Sequence, residues 1–247
     1  MKYGFAGNRE IAVNLLKYLV NEGLKPSFLI INSYDSEQYN KKLISISQLD
    51  MSQVYCIKSN LDTEDLIKYN VDYIFGIHFP YIIKKKLLDL PKIGFLNLHP
   101  AYLPYNKGWH TPSWAILDDT PYGATLHFMS EELDKGDIVF QEKLEILPTH
   151  TANSLYKDIL ELEEKIFKEA LPKLLSLNPS RYKQSSDGTS HNRKDLAKVQ
   201  EIDLDRDVNS KLFIDKLRAL TTNNIEEAAY FIKNGKKYSI NIEIIES

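Results

Sequence analysis

The residues best suited to chemistry sit in one run, "IGFLNLHPAYLPYNKGWH" (93–110), where an asparagine and a histidine stand two positions apart at the end of an apolar segment. Alternate side chains of a strand share a face, so Ile93, Phe95, Asn97 and His99 form one row that turns polar only at its last two members. Such a row marks the carboxyl end of a strand, which is where open α/β sheets bind their ligands. A carboxamide there can donate to an oxygen on which negative charge develops, and an imidazole can carry a proton. The same pair could instead do no more than satisfy backbone groups at a strand terminus. The following loop favours a binding wall: Pro100, Pro104 and Pro112 stiffen it, and Gly108 gives it one permissive point.

A second segment, "GATLHFMSEELDKGDIVFQEKLEI" (123–146), reads as a strand, an acidic loop with Glu131, Glu132, Asp134 and Asp137, and another strand. Acids in such a turn are ordinarily solvated. An aspartate held beside the Asn97/His99 strand end would nevertheless add an orienting base to a donor and a proton carrier. His127 lies mid-strand and is expected to be a core histidine satisfied by a neighbour. The six histidines show neither HExxH nor paired-cysteine spacing, so no metal centre is expected. The single cysteine, Cys56, cannot form an intrachain disulfide, and its setting in "VYCI" reads as packing.

The elements that must position these residues alternate along the chain. Strand patterns at 2–6, 27–32, 52–59, 71–77 and 93–99 are interspersed with a helix in which Ile11, Leu15 and Leu19, flanked by Ala12 and Leu16, form a stripe, and with a short helix at 63–70. Strands separated by helices imply crossovers, hence an α/β domain: a mostly parallel, Rossmann-like sheet with helices on both faces. Asn8 is placed to cap the first helix, and Asn8 and Arg9 at that helix start could meet a sugar or pyrophosphate, although "FAGNRE" is no GxGxxG fingerprint. From about Ser176 the chain turns polar and rich in turn residues, and then offers a helix at 210–220 and two strand patterns within 227–244 joined by Asn234-Gly235, a strong hairpin signal. The expected organisation is a catalytic domain at 1–177, an extended arm at 178–209, and a small helix-plus-hairpin appendage at 210–247. That appendage is too small to fold alone, and its apolar face points to a homodimer contact.

The 247 residues carry a net charge of −3 with interspersed signs, which speaks against a broad nucleic-acid-binding face. The first residues lack a basic stretch followed by an apolar run, and no segment is long enough to cross a bilayer, so a cytoplasmic protein without a membrane partner is expected.

Taken together, "NLHPAYLP", the Gly108 that follows, and "GATLHFMSEELDKGDIV" resemble the signature of the folate-dependent formyltransferases; "YGFAGNREIAVNLLKYL" is similar to that family's first strand and helix. The resemblance implies transfer of a formyl group from 10-formyltetrahydrofolate to an amine, with Asn97, His99 and Asp134 as the catalytic positions. It further implies a backbone cradle for the pterin after the fourth strand, at Gly76, Ile77, His78 and Phe79, with Glu131 and Asp134 also on the folate side. Within the family, "LPYNKGWHTPSWAI", "GTSHNRKDLAKVQEIDL", "KLRALT" and "AAYFIKNGKKY" look like the sugar N-formyltransferases that act on nucleotide-linked amino sugars for surface polysaccharides such as O-antigen. A dTDP-linked 4-amino-4,6-dideoxyglucose is the expected acceptor, with Asn8, Arg9, Tyr105, Lys107, Trp109 and Arg218 as candidate contacts. The charged members of that set could equally be solvated surface groups. Methionyl-tRNA formyltransferases resemble the catalytic region but carry a full C-terminal barrel, which the tail here does not match. The alternatives are formyl transfer to a UDP-amino sugar, glycinamide ribonucleotide or Met-tRNA, formyl-folate hydrolysis, and noncatalytic nucleotide-sugar binding.

Overall fold

The computed structural model describes residues 1–32, 38–58 and 61–247. The first strand, β1 (Tyr3–Gly7), is buried throughout and leads into α1 (Arg9–Asn21). The Asn8 side chain accepts from the Arg9 N–H at 2.7 Å, satisfying a donor that the helix itself leaves open. Ile11, Ala12, Leu15, Leu16 and Leu19 are the buried face of α1, as their spacing requires. The chain continues through β2 (Phe28–Ile31), α2 (Gln38–Ser47), β3 (Val54–Cys56), α3 (Thr63–Ile67), β4 (Tyr73–Ile77), α4 (Lys85–Leu88) and β5 (Gly94–His99). It then forms β6 (Lys107–Gly108), α5 (Thr111–Leu117), β7 (Tyr122–Phe128), β8 (Ile138–Leu144), α6 (Ala152–Leu175), β9 (Ser190–His191), α7 (Ser210–Ala219), β10 (Ala229–Lys233) and β11 (Lys236–Ile240).

Seven strands make one sheet in the order β3-β2-β1-β4-β5-β7-β8. β1, β2, β3, β4 and β5 pair in parallel, and β7 runs antiparallel to β5. This is the mostly parallel α/β sheet with helices that the alternating pattern implies. Register aligns Ala6 with Gly76, Gly76 with Asn97, and Asn97 with His127, so one row crosses four strands near their functional ends. Beneath it, Phe28, Phe95, Ile74 and Tyr55 pack into a buried cluster with Leu66 and Leu87, which fixes the level of each strand.

The third strand is shorter than its apolar run suggested. Residues Met51–Gln53 wind into a 3-10 turn with a capping box at Asp50, and Ser59, the last residue of the expected strand, lies outside the described residues. α3 likewise stops at Ile67, short of the expected 63–70, because Asn70 takes a left-handed conformation (φ 50°).

Two compact units can be separated in the chain: residues 1–99, 125–140 and 163–184, and residues 100–124, 141–162 and 185–247. In the second, β6 pairs in parallel with β9, and Gly108 (φ 93°) brings its Cα so near the His191 carbonyl that a Cβ would lie 2.3 Å from that oxygen. The tail of this unit is a helix and a hairpin. Asn234 and Gly235 (φ 51° and 73°) form the two-residue turn, pairing Phe231 with Tyr238 and Ala229 with Ile240. Among the described residues no helix is long and apolar enough to cross a membrane.

Candidate active site

Three of the expected residues converge at the β5 carboxyl end, all within the first unit. Asn97 and His99 project from β5, and Asp134 comes from the loop between β7 and β8. His99 Nε2 lies 3.6 Å from Asp134 Oδ2, with both side chains less than a tenth exposed. That imidazole nitrogen is buried and has no hydrogen-bond partner among the described residues. Leaving a buried polar atom unpaired costs about 1–3 kcal/mol, so its persistence calls for a reason. Asp134 itself sits at φ 52°, a left-handed conformation that a non-glycine residue adopts at a cost of about 1–3 kcal/mol and that clusters at functional sites.

His127 belongs to this group as well. Its Nδ1 lies 2.8 Å from the Phe128 carbonyl oxygen, which can only accept, so Nδ1 carries the proton and Nε2 is left as an acceptor. Asn97 donates to that Nε2 from Nδ2 at 3.2 Å. Burial pushes His127 down to about 4; the Asp134 carboxylate pulls it up, His99 adds to the lowering, and the Phe128 hydrogen bond opposes it. The ring is therefore neutral near pH 7, and its 3.7 Å approach to Asp134 Oδ1 is a contact of a carboxylate with a neutral imidazole. The expected core histidine does have its satisfying neighbour, but that neighbour is Asn97. The signal for this was cross-strand register, since Asn97 and His127 face each other in the β5–β7 ladder.

The loop after β4 is held by a second buried pair. His78 Nε2 lies 2.9 and 2.8 Å from the two carboxylate oxygens of Glu163 on α6, and Glu163 is wholly buried. The contact secures His78 in its left-handed conformation (φ 50°) directly after Gly76 and Ile77, in the segment that begins beside Asn97. Sequence spacing alone does not single out Glu163 as a partner of His78. Its signal is an acid set among the buried α6 residues Ile159, Leu162, Ile166 and Phe167. Phe79 packs against Tyr81 with ring centroids 5.4 Å apart. Asn8, half-buried, donates its backbone N–H to the Ile77 carbonyl at 3.0 Å, which sets the start of α1 beside the end of β4; Arg9 is exposed there at φ 66°.

The structure does not bring every candidate together. Glu131 is exposed and pairs with Lys85 at 3.0 Å. In the second unit, Tyr105 and Trp109 flank β6, which holds Lys107; Trp109 is exposed with the Arg193 guanidinium 5.2 Å from its ring centroid. Arg218, in contrast, is buried and its guanidinium is committed: Nε donates to the His150 carbonyl at 2.8 Å, Nη2 to the Leu147 carbonyl at 2.7 Å, and Nη1 to Asp215 at 2.8 Å. Those bonds give Arg218 structural partners within the second unit. Among the described residues no group of three or more His, Cys, Asp or Glu is placed to hold a metal ion.

Comparison with known proteins bears on this geometry. Residues 32–171, more than half of the chain, match the family described as "Formyl transferase", and residues 195–246 match "N-formyltransferase dimerization C-terminal domain". A 4-N formyltransferase from Francisella tularensis is similar in structure over 100% of this chain and 98% of its own, with TM-score 0.85 and 27% identity. An N-formyltransferase from Helicobacter canadensis, solved in complex with folinic acid and dTDP-3-aminofucose, shares the fold at TM-score 0.68 and 23% identity, over 95% of this chain and 85% of its own. Among curated relatives, the dTDP-4-amino-4,6-dideoxyglucose formyltransferase of Mycobacterium bovis is 24% identical over 171 residues, spanning 69% of this chain and 72% of the relative. The methionyl-tRNA formyltransferase of Clostridium tetani is 29% identical over 214 residues, 81% of this chain and 68% of the relative.

Proposed function

Because this chain belongs to the formyl transferase family and is an N-formyltransferase, we propose that its acceptor is a nucleotide-linked amino sugar and its donor 10-formyltetrahydrofolate. The observation that carries the reading is the buried Nε2 of His99, without a hydrogen-bond partner among the described residues, facing Asp134 and sharing a strand end with an Asn97 amide that a neutral His127 orients. A site built this way has a donor and a proton carrier waiting for a ligand atom.

The donor supplies the formyl carbon and the nitrogen from which that carbon departs. Asn97 spends one Nδ2 hydrogen on His127 and keeps the other for the formyl oxygen as negative charge grows there, with the His99 imidazole beside it. Asp134 holds His99 oriented and relays the proton lost by the sugar amine toward the departing nitrogen, so one N–C bond forms as another breaks. Gly76, Ile77, His78 and Phe79 would hold the pterin through their backbone, made rigid by the His78–Glu163 pair.

For the acceptor, support comes from the match of residues 195–246 to the N-formyltransferase tail and from the likeness to the Francisella 4-N enzyme and the Mycobacterium sugar enzyme. The finer reading is dTDP-4-amino-4,6-dideoxyglucose destined for a surface polysaccharide, with Asn8, Arg9, Tyr105, Lys107 and Trp109 as the contacts. The tail match also supports a homodimer. Likeness to the Clostridium enzyme keeps Met-tRNA as the second reading. The test is release of tetrahydrofolate by the pure full chain with dTDP-4-amino and dTDP-3-amino sugars, a UDP-amino sugar, glycinamide ribonucleotide, Met-tRNA, or no acceptor. Release confined to nucleotide amino sugars is expected. Comparable rates with Met-tRNA or glycinamide ribonucleotide would overturn the sugar reading, and acceptor-independent release would make the protein a hydrolase.

A further inference from the structure

Asp134 holds its left-handed conformation in the loop between β7 and β8. The Phe128 N–H donates to the Asp137 carbonyl at 2.8 Å and closes the loop, and Gly136 lies so near the Phe128 carbonyl that a Cβ would fall 1.7 Å from its oxygen. A further restraint comes from outside the loop. Gln184 Nε2 donates to the Asp134 carbonyl and to the Gly136 carbonyl, each at 2.8 Å. Both facing atoms are acceptors, so the amide must present its nitrogen to them; the opposite orientation would set three oxygens together. Gln184 Oε1, meanwhile, is buried without a hydrogen-bond partner among the described residues, a sign that the nitrogen end decides the placement.

Gln184 is itself held. The Ile138 N–H donates to the Tyr182 carbonyl at 2.8 Å and the Tyr182 N–H to the Ile138 carbonyl at 3.0 Å, so this segment lies antiparallel against the start of β8. Arg181 adds a 3.6 Å contact to Asp137 and sits 4.8 Å from the Phe128 ring centroid. A stretch that reads as the beginning of an extended arm thus braces the loop of the expected catalytic aspartate.

We propose that Gln184 is a positioning residue for Asp134: its side-chain amide grips the carbonyls of Asp134 and Gly136 and thereby keeps the Asp134 carboxylate between His99 and His127. The proposal rests on the formyl-transfer reading for its catalytic consequence, while the brace itself is a property of the folded chain. Misplacing a catalytic group by about an ångström costs up to about 100-fold in rate.

The test uses the full chain with Gln184→Met, which removes both donors, and Gln184→Glu, which keeps the shape and replaces the donors by acceptors. In both, kcat should fall about 10- to 100-fold with KM for the amino sugar within about twofold, because the loss is specific to the transition state. Amide hydrogen exchange in residues 129–137 should rise about tenfold or more while β1 and β4 keep their protection. Wild-type kcat in both variants, or unchanged exchange in 129–137, would overturn the proposal. So would a uniform rise in exchange across the sheet, which marks a purely structural role. If the wild-type chain transfers no formyl group, the functional reading fails on its own, and exchange in 129–137 still decides whether Gln184 braces the loop.

Discussion

Around Asn97, polar side chains occupy the interior: His99, His127 and Asp134 are each under a tenth exposed, and Glu163 is wholly buried. Along the hairpin β10–β11 the rule is reversed, with Ile232 and Tyr238 at 52% and 46% exposure. Both departures cost free energy, but of different size and with different remedies. A buried polar group without a partner costs a few kcal/mol and is tolerated where a ligand atom will meet it. An exposed apolar side chain forgoes about 1.5–3 kcal/mol of burial, recovered when another surface covers it. The first pattern points to chemistry with a small molecule and the second to association with a second chain. The exposed Leu204, Val208 and Leu212 of the same unit, which line a cleft of about 520 Å³ with Phe213, belong to the second pattern.

The sharpest way to break this contrast is at the polar cluster. Asn97→Ala, His99→Ala and Asp134→Ala should each lower kcat by about 10²–10⁴-fold with the far-ultraviolet spectrum unchanged. A folded His99→Ala protein with near-normal kcat would remove the polar cluster from the chemistry.

Acid titration probes the same cluster through stability. His127 is lowered to about 4 from the ordinary 6.5, so between those values the folded chain binds fewer protons than the unfolded one. Its contribution is fully present above about pH 6.5 and is lost as pH falls through 4, amounting to roughly 3 kcal/mol. Urea midpoints measured from pH 7 to pH 4 should fall more steeply for the wild type than for His127→Gln. Equal slopes would show that His127 titrates freely.

Arg218 tests whether a buried charge in the second unit is structural. Arg218→Met should destabilise by about 2–4 kcal/mol, because Asp215 and the His150 and Leu147 carbonyls lose their donor, while KM for the amino sugar stays within about twofold for the folded fraction. A tenfold rise in KM without a fall in melting temperature would return Arg218 to the substrate.

At the hairpin, truncation after Thr222 should convert a dimer to monomer by light scattering. A truncated chain that stays dimeric, or a full-length chain that is monomeric at micromolar concentration, would take association away from the exposed apolar face. The smallest expected effect is at the turn. A Cβ on Gly235 meets nothing within 4 Å, so Gly235→Ala isolates the backbone cost of φ 73° and should lower stability by about 1 kcal/mol in a thermal melt.

How much could be foreseen differs between elements and partners. The α1 stripe, the Asn8 cap, the β5 row ending in Asn97 and His99, and the Asn234-Gly235 turn are all written in spacings of a few residues, and the folded chain keeps them. The α6 stripe through Leu155, Ile159, Leu162, Ile166 and Phe167 is equally local. These features depend on a helical period near 3.6 and a strand period of two, which any short window reveals.

Partners are a different matter. Nothing near His127 in the chain names Asn97 as its donor, nothing near His78 names Glu163, and nothing near Asp134 names Gln184, since these pairs are 30, 85 and 50 residues apart. Arg218 reads as a surface cation until its bonds to residues 68 and 71 positions away are seen. The amino-acid sequence determined which side chains were chemically able and which local element would present each. Only the tertiary structure decided which of them meet, because in a close-packed interior the satisfaction of a polar group is settled by sheet register and helix placement across long loops rather than by the residues beside it.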